Sequence, residues 1–390
     1  MNKKEKRTYQ FRLYPSKQQE LILLENLELC RFTYNILLQE LNNQKIKDKS
    51  QIQGIIPDLK ICNPNLKKAY AKTLQFEIDK LFSNLQSLSN LKRNGKKVGS
   101  LRFKSKNSFK SITYNQKGFK FFKTSSKRMQ KLYLSKIGKI PIRAHKELNG
   151  KIKQITIKKT CSKKWFANIV CEVEKKTERN IENKQIGIDL GLINYAYDSE
   201  GNHFDNPKIL NKSLRILKRK QKKFSKKQKS SRNREKQKIQ LAKLHEKIIN
   251  QRNDFIHKLS RYYVNNYSLI VVEDLKFQNL IQNNKLSIHI IDSSWAKFIQ
   301  MLEYKAESAG VQIIKVNPRG TTQKCSNCDN IVPKKLSDRE HNCKKCGLQI
   351  PRDYNSAINI KKYATVGSTE GKALGNVSRE MFMNQESCRN

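Results

Sequence analysis

The sequence predicts a multidomain protein that joins α/β and α+β units. Three observations carry this. Residues 185–197 form an apolar run broken by glycine and turning at Asp198-Ser199-Glu200-Gly201-Asn202, which reads as two adjacent strands. Leu269 to Leu275, a helical stretch at about 294–309 and Val311 to Val316 then give strand, helix, strand, the pattern of a mixed α/β sheet. Before them, strand-like runs at 132–142, 152–159 and 165–174 mark residues 100–175 as a small basic β-domain.

Taken in order, Thr8 to Tyr14 alternates as a strand does. Ser16 followed by Gln19 offers a capping box, and a helix runs to about Leu41 with Leu21, Leu24, Leu27, Tyr34, Leu37 and Leu41 as its apolar stripe. Lys17 and Arg31 read as part of its solvated face rather than as contacts to a nucleic acid. Residues 45–65, polar and holding Pro57 and Pro64, read as a loop. A second helix spans about Leu66 to Leu91 on Tyr70, Leu74, Ile78, Leu81, Leu85 and Leu88. From Leu101 to Lys123 cations and rings interleave, as in Arg102-Phe103-Lys104 and Lys120-Phe121-Phe122-Lys123. A sheet here presents cations to phosphates, and its rings go either to the core or to bases.

Residues 208–252 carry 18 Lys or Arg against Glu235 and Glu246 alone. Leu210, Leu214 and Leu217 mark one helix; Ile239, Leu244, Ile248, Phe255 and Leu259 mark another, with a loop at Ser225 to Asn233. The signs are not interspersed, as a merely solvated face would have them, so this hairpin reads as a duplex-binding surface. Candidate nucleic-acid contacts are Arg219, Lys220, Lys222 and Lys223 on the hairpin, Arg102 and Lys104 in the basic stretch, and Arg319 in the Asn317-Pro318-Arg319-Gly320 turn.

The whole composition agrees. The 390 residues hold 81 Lys+Arg against 33 Asp+Glu, a net +48. Self-repulsion of that size fits a chain whose normal partner is a polyanion, which points to nucleic acid. No apolar run approaches the roughly 18 residues of a membrane span, and Met1 to Arg7 lacks the apolar core of a signal peptide. Five of the nine cysteines (Cys30, Cys62, Cys161, Cys171 and Cys388) are scattered without a framework, which indicates a reducing, cytoplasmic setting.

Two constellations carry chemistry. Asp189 lies inside an apolar run, where an unpaired carboxylate costs roughly several kcal/mol unless a cation compensates it. Glu273 ends a second buried strand, and Asp353 stands in the first turn of a helix after Pro351. Three acids so placed can converge on a pair of divalent cations, the requirement of two-metal phosphodiester cleavage; Mg²⁺ suits carboxylates with phosphate oxygens. Gly187 and Gly191 admit a close backbone or nucleic-acid strand on either side. The second constellation is Cys325-x-x-Cys328 and Cys343-x-x-Cys346, separated by residues 329–342. Two such turns supply the four-sulfur tetrahedral set of a closed, structural Zn²⁺ site. His341 is an alternative ligand that four cysteines make unnecessary.

These residues resemble the TnpB family, transposon-encoded RNA-guided nucleases related to type V CRISPR effectors. The likeness rests on Gly187-Ile188-Asp189-Leu190-Gly191, Val272-Glu273-Asp274-Leu275, Asn317 to Cys328, and Cys343-Lys344-Lys345-Cys346-Gly347 leading to Arg352-Asp353-Tyr354-Asn355-Ser356-Ala357. Weaker matches are Lys243 to Ile248 and Cys30 to Asn35, and the whole covers roughly residues 8–363. The resemblance implies a RuvC nuclease of RNase H fold at 183–320, with the basic hairpin at 208–265. Asp189, Glu273 and Asp353 would be its metal-binding acids, with a zinc ribbon at 321–350 inserted before the last RuvC helix, 351–363. It further implies an N-terminal β-barrel, or wedge, made of 1–14 and 100–182 and interrupted by a helical recognition lobe at 15–99. Residues 364–390 match nothing and read as a flexible tail. Family members take a guide RNA from the transposon end and cut double-stranded DNA beside a short target-adjacent motif. One protein copy per guide and a prokaryotic, nucleoid-associated cytoplasmic location follow as expectations. Two departures stand out: Pro351 replaces a common acid, and Asp329 a common glycine. A guide-directed repressor of the same family is the alternative function. A strand-joining transposase and a junction resolvase are less suited, the latter needing neither this charge nor the ribbon.

Overall fold

The computed structural model describes residues 4–43, 48–126, 128–174, 183–276, 280, 282, 287–335 and 337–367. They fall into two compact units divided at 175/176. The expected boundary at 182/183 adjoins residues outside the described set.

The first unit is a seven-stranded antiparallel sheet in the order β2-β6-β7-β1-β5-β4-β3. Its strands are β1 (Lys4–Leu13), β2 (Ser111–Asn115), β3 (Phe119–Phe122), β4 (Met129–Leu134), β5 (Gly138–Arg143), β6 (Lys151–Lys159) and β7 (Trp165–Glu174). β1 pairs with β7 along its whole length, from Lys4 opposite Glu174 to Leu13 opposite Trp165. Period-2 alternation drives the fold: Trp165, Ala167, Ile169, Cys171 and Val173 are all buried on one face of β7. The edge strands β2 and β3 are separated in sequence only by the one-turn 3₁₀ helix Gln116–Gly118. The sheet therefore curls its edges to within one turn of each other without a hydrogen-bonded seam, which is close to a barrel.

Helices α1 (Lys17–Asn42), α2 (Lys49–Cys62) and α3 (Ala71–Arg93) lie between β1 and β2 in the chain and share one apolar core with the sheet. The Ser16–Gln19 capping box forms in both directions. Four expectations are corrected. Helix α2 occupies much of the stretch read as a loop, because Ile52 and Ile56, one turn apart, bury together while the helix tolerates Pro57. The second expected helix begins later: Pro64–Lys68 is a 3₁₀ turn, and the chain is extended at Ala69 and Tyr70 before α3. Leu21 is exposed, and Leu23 takes its place in the core. Residues 101–110 form no strand. Instead Asn35 Nδ2 and Arg31 Nη1 donate to the carbonyl of Lys104, tying this segment to α1. The rings divide: Phe109, Tyr114 and Phe119 are core, while Phe103 and Phe122 are exposed.

The second unit is built on a five-stranded sheet in the order β10-β9-β8-β11-β12. It holds β8 (Gln185–Leu190), β9 (Asn194–Asp198), β10 (His203–Asp205), β11 (Leu269–Glu273) and β12 (Gln312–Val316). β8, β9 and β10 form an antiparallel meander, whereas β8, β11 and β12 run parallel. Two helices fill the β10–β11 connection, α4 (Ile209–Ser225) and the 35-residue α5 (Arg232–Asn266). The β11–β12 connection contains α6 (Ser287–Ser293), in a stretch expected to be loop, and α7 (Trp295–Ala309). Asp292 of α6 accepts from the backbone N–H groups of Leu210 and Asn211, so it caps α4.

The sheet is covered on both faces. Ile186, Ile188, Ile270 and Val272 share a core with α5 and α7. Val271 and Val316 on the other face pack against Ile360 and Ala364 of α8 (Arg352–Gly367). That helix runs past the bound expected at residue 363; residues 368–390, including most of the expected tail, lie outside the described set. Between β12 and α8 sits a small two-stranded ribbon, β13 (Glu340–Asn342) with β14 (Gln349–Pro351). Among the described residues no helix is long and apolar enough to cross a membrane.

Candidate active site and metal centre

Sheet register places the three acids. Val272 of β11 stands beside Ile188 of β8, so Glu273 and Asp189 follow side by side at the carboxyl ends of adjacent parallel strands. Asp353, in the first turn of α8, is carried to the same place because that helix lies against β8. A Cβ built on Gly191 would stand 3.9 Å from Asp353 Oδ2. The acids act on one another electrostatically. The Asp189 carboxyl is held well above the usual carboxylate range, first by burial and then by Glu273 and Asp353, with Arg352 and the Ser356 hydroxyl opposing. Burial also raises Glu273, against a hydrogen bond from Thr321. A buried carboxyl raised by two neighbouring acids fits a cationic ligand, which removes the repulsion. Arg352, at 3.2 Å from Asp353 Oδ1, supplies part of that compensation from the protein itself.

The closeness of α8 to β8 has a specific cause. A Cβ on Gly187 would lie 2.3 Å from the carbonyl oxygen of Ala357 and 2.6 Å from the backbone nitrogen of Lys361. Of the two approaches weighed for Gly187, the helix backbone is the one present.

The four cysteines gather as their spacing requires. Their sulfur atoms all lie within 4.8 Å of one another, with Cys325 3.6 Å from Cys346 and Cys328 3.5 Å from Cys343. Tetrahedral zinc with sulfurs at about 2.3 Å needs sulfur–sulfur separations of roughly 3.8 Å, so the set fits Zn²⁺. The acids do not form a cluster this tight. The second knuckle is prepared for thiolates: backbone N–H groups, that of Cys346 first, lower the Cys343 thiol to about 6, and that of Leu348 leads in lowering Cys346. Both knuckles close through a left-handed residue, Gly347 at φ 74° and Asp329 at φ 58°. Aspartate is among the few residues that tolerate this region, which accounts for its standing where glycine is usual. His341 is buried and its Nδ1 lies 2.6 Å from Lys334 Nζ, outside the four-sulfur set.

A polar network joins the cysteine knuckle to the acids, and sequence reading gave its members no role. Thr321 Oγ1 donates to Glu273 Oε1 at 2.6 Å. Asn359 Nδ2 donates to the carbonyls of Thr321 and Lys324. Asn355 accepts from the Ser326 N–H at 2.8 Å and donates to the Lys324 carbonyl at 2.8 Å. Asn355 and Asn359 are buried one turn apart on α8, and that i, i+4 pair of amides beside Ala357 and Ile360 was the available signal.

The remaining predicted contacts are dispersed. Arg219, Lys222 and Lys223 are exposed on α4, while Lys220 reaches Gln240 of α5 at 3.3 Å. Arg319 is exposed and lines a cleft of about 220 Å³ with Gly320, Gln323, Lys324, Ile331 and Tyr363. Arg102 and Lys104 belong to the first unit, Arg102 exposed and Lys104 with its ammonium 5.7 Å from the centre of the Tyr34 ring.

Three family models match the chain. OrfB_IS605, described as "Probable transposase", covers residues 168–284. "Cas12f1-like, TNB domain" covers 295–360, and the "Helix-turn-helix domain" of OrfB_IS605 covers 1–47. "Putative RNA-guided DNA endonuclease InsQ" of Escherichia coli (strain K12) is 29% identical over 375 residues, 90% of each chain. A "Putative RNA-guided DNA endonuclease" of Streptomyces pristinaespiralis is 27% identical over 377 residues, covering 95% of this chain and 92% of the relative. Among solved structures, the protein in "Cryo-EM structure of the Cas12f1-sgRNA-target DNA complex" shares the fold, with a TM-score of 0.60 at 16% identity over 92% of this chain and 99% of that one. Along most of its length, then, this chain is similar to the OrfB and TnpB-like proteins.

Proposed function

We propose that this protein is an RNA-guided DNA endonuclease that hydrolyses a phosphodiester at Asp189, Glu273 and Asp353. The observation that carries the reading is the convergence of these acids, from two strand ends and a helix start, with burial and mutual repulsion raising Asp189. Strand order supports a RuvC domain of RNase H type: an antiparallel meander continued by two parallel strands, with the acids at the carboxyl ends of the central pair. Two Mg²⁺ ions would be held by the three carboxylates and would supply activation of water and stabilisation of the leaving oxygen. The protein's own part is positional. Thr321 fixes one Glu273 oxygen, Arg352 holds Asp353, and Gly187 lets α8 set the distance between Asp353 and Asp189.

In this reading residues 183–320 with 351–363 are the nuclease, and 321–350 a structural zinc ribbon held by Cys325, Cys328, Cys343 and Cys346. Residues 1–14 and 100–182 form the wedge and 15–99 the recognition lobe. The partners are a guide RNA and a double-stranded DNA target bearing a short adjacent motif, with one protein copy per guide in a prokaryotic cytoplasm. The names of the relatives, two of them RNA-guided DNA endonucleases, support this.

The test is expression with the native flanking DNA, sequencing of the RNA that co-purifies, and cleavage by the wild type and Asp189→Ala. Cleavage should need the guide, be lost with Asp189→Ala or excess chelator, and leave target binding in place. Cutting that persists in the variant overturns the site. A wild type that binds guided targets yet never cuts is instead a guide-directed repressor.

A further inference from the structure

A row of side chains runs across the sheet beyond the acids. Asp189 of β8 is directly opposite Tyr197 of β9, and Tyr197 is directly opposite His203 of β10. Directly opposed residues share a face, so the row continues outward from Glu273 and Asp189 into two rings. A third ring, Tyr354, follows Asp353 in α8 and lies over Tyr197 with centroids 5.8 Å apart. Tyr197 and His203 are 5.6 Å apart.

These rings differ from those on the opposite face of the sheet. There Tyr195 meets Phe255 and Phe298 edge to face, at 83° and 89°, in a closed core. Here the interplanar angles are 27° and 35°, Tyr197 and Tyr354 are only half-buried, and His203 is exposed. Interlocked rings fill space, whereas this stacked and tilted set is only partly covered and leaves aromatic surface available. The surface is also fixed in place. A Cβ built on Gly201, at φ 89°, would stand 3.8 Å from the Tyr354 ring, so this turn borders the ring. Buried Asp198 holds that turn by accepting from the N–H groups of Glu200 and Asn202.

We propose that Tyr197, Tyr354 and His203 form a stacking shelf for an unpaired nucleobase of the DNA strand being cut. The proposal rests on the nuclease reading and adds how the strand is held. The three carboxylates can take a phosphodiester only through the cations they would hold, and those engage one phosphate, so the flanking strand needs a second, uncharged hold. Elsewhere the cations of this +48 chain grip the strand by its charge. A base offers the one uncharged, flat group of a nucleotide, and aromatic stacking accepts every base because each has a π-face. Asp189 is the cross-strand partner of Tyr197, and Asp353 directly precedes Tyr354. A base on the shelf therefore borders the acids and leaves its phosphate to them.

The experiment uses the full, guide-loaded protein and a single-stranded DNA oligonucleotide complementary to the guide. Cleavage is measured for Tyr197→Phe, Tyr197→Leu, Tyr354→Leu and His203→Ala. Binding is read from the fluorescence of 2-aminopurine, placed in turn at each position near the cut, on an Asp189→Ala background. Tyr197→Phe keeps the ring and should stay within about twofold of the parent in KM. Tyr197→Leu should raise KM roughly tenfold or more with a smaller change in kcat, and the exposed His203→Ala should raise it severalfold without a folding defect. One 2-aminopurine position should be quenched on the parent and on Tyr197→Phe, and released on Tyr197→Leu or Tyr354→Leu. Parent-like KM in the leucine variants, or equal quenching in all chains, overturns the shelf while leaving the nuclease reading intact. If the parent never cuts, the nuclease reading fails, and the quenching comparison still decides the shelf.

Discussion

The backbone of Gly187 and the backbone of Ala357 touch: a Cβ on Gly187 would stand 2.3 Å from the Ala357 carbonyl oxygen. The strand that carries Asp189 and the helix that carries Asp353 are thus in direct contact, with no side chain between them. Gly187→Ala must move the helix, because neither backbone can yield as a flexible side chain would. The expected cost is about 1–3 kcal/mol in stability, as for overpacked cores. A 1 Å displacement of Asp353 should lower cleavage by roughly a hundredfold. Guide binding measured beside cleavage checks this, and parent-like cutting by Gly187→Ala would show that the contact does not set the site.

Zinc and nuclease should be coupled through the asparagine network. Cys346 precedes Asp353 by seven residues, and Asn355 and Asn359 bind the first knuckle directly. Site geometry tolerates only about half an ångström of error. Zinc removal frees a ribbon that has little core of its own. Cys343→Ser with Cys346→Ser should therefore cost far more cleavage than guide affinity. Asn355→Ala should leave zinc bound yet lower cleavage, since it strands the Ser326 N–H and leaves the Lys324 carbonyl held by Asn359 alone. The measurements are bound zinc, guide affinity and cleavage on the same preparations. Normal cutting by zinc-free protein would refute the coupling, and an equal loss of guide binding would mean that the ribbon holds the whole unit together.

Guide binding should weaken steeply with salt. Each neutralised phosphate releases counterions, so affinity should fall by orders of magnitude over a roughly fourfold rise in salt. Charge reversal at Arg219, Lys220, Lys222 and Lys223 on α4 should both weaken binding and flatten the slope. An unchanged slope in that variant would remove the hairpin from the interface.

The first unit should lose stability as pH rises toward neutrality, through Glu77. Burial raises this carboxyl from its ordinary 4.5 to about 7, with Lys80 at 2.9 Å compensating only in part. Between those values the folded chain keeps a proton that the unfolded chain has released. Stability from this group is therefore complete below about pH 4.5 and is lost as pH climbs to about 7. The loss is at most about 3 kcal/mol. Glu77→Gln should flatten the pH dependence relative to the parent, read by hydrogen exchange at amides of α1 and α3. Identical slopes in the two chains would contradict this.

Much of the site was legible in the residues, because its signals are local. Asp189 interrupts an apolar strand, Glu273 ends another, and two Cys-x-x-Cys turns need only four residues each to aim their sulfurs. The alternation of β7 and the capping box at Ser16 are equally local, since period and caps depend on near neighbours. Helix α2 was missed because Pro57 and the polar surroundings outweigh Ile52 and Ile56 in sequence, whereas burial of those two decides the fold. Residues 101–110 read as strand because rings and cations alternate there, but hydrogen bonds from Arg31 and Asn35, some seventy positions earlier, hold them otherwise. The sequence by itself determined which side chains carry the chemistry. Tertiary structure alone decided their spacing: the register that sets Glu273 beside Asp189, the glycine that admits α8, and the asparagines that fasten it to the cysteine knuckle. Those are contacts between residues far apart in the chain, and no local preference encodes a distance between two elements that only packing brings together.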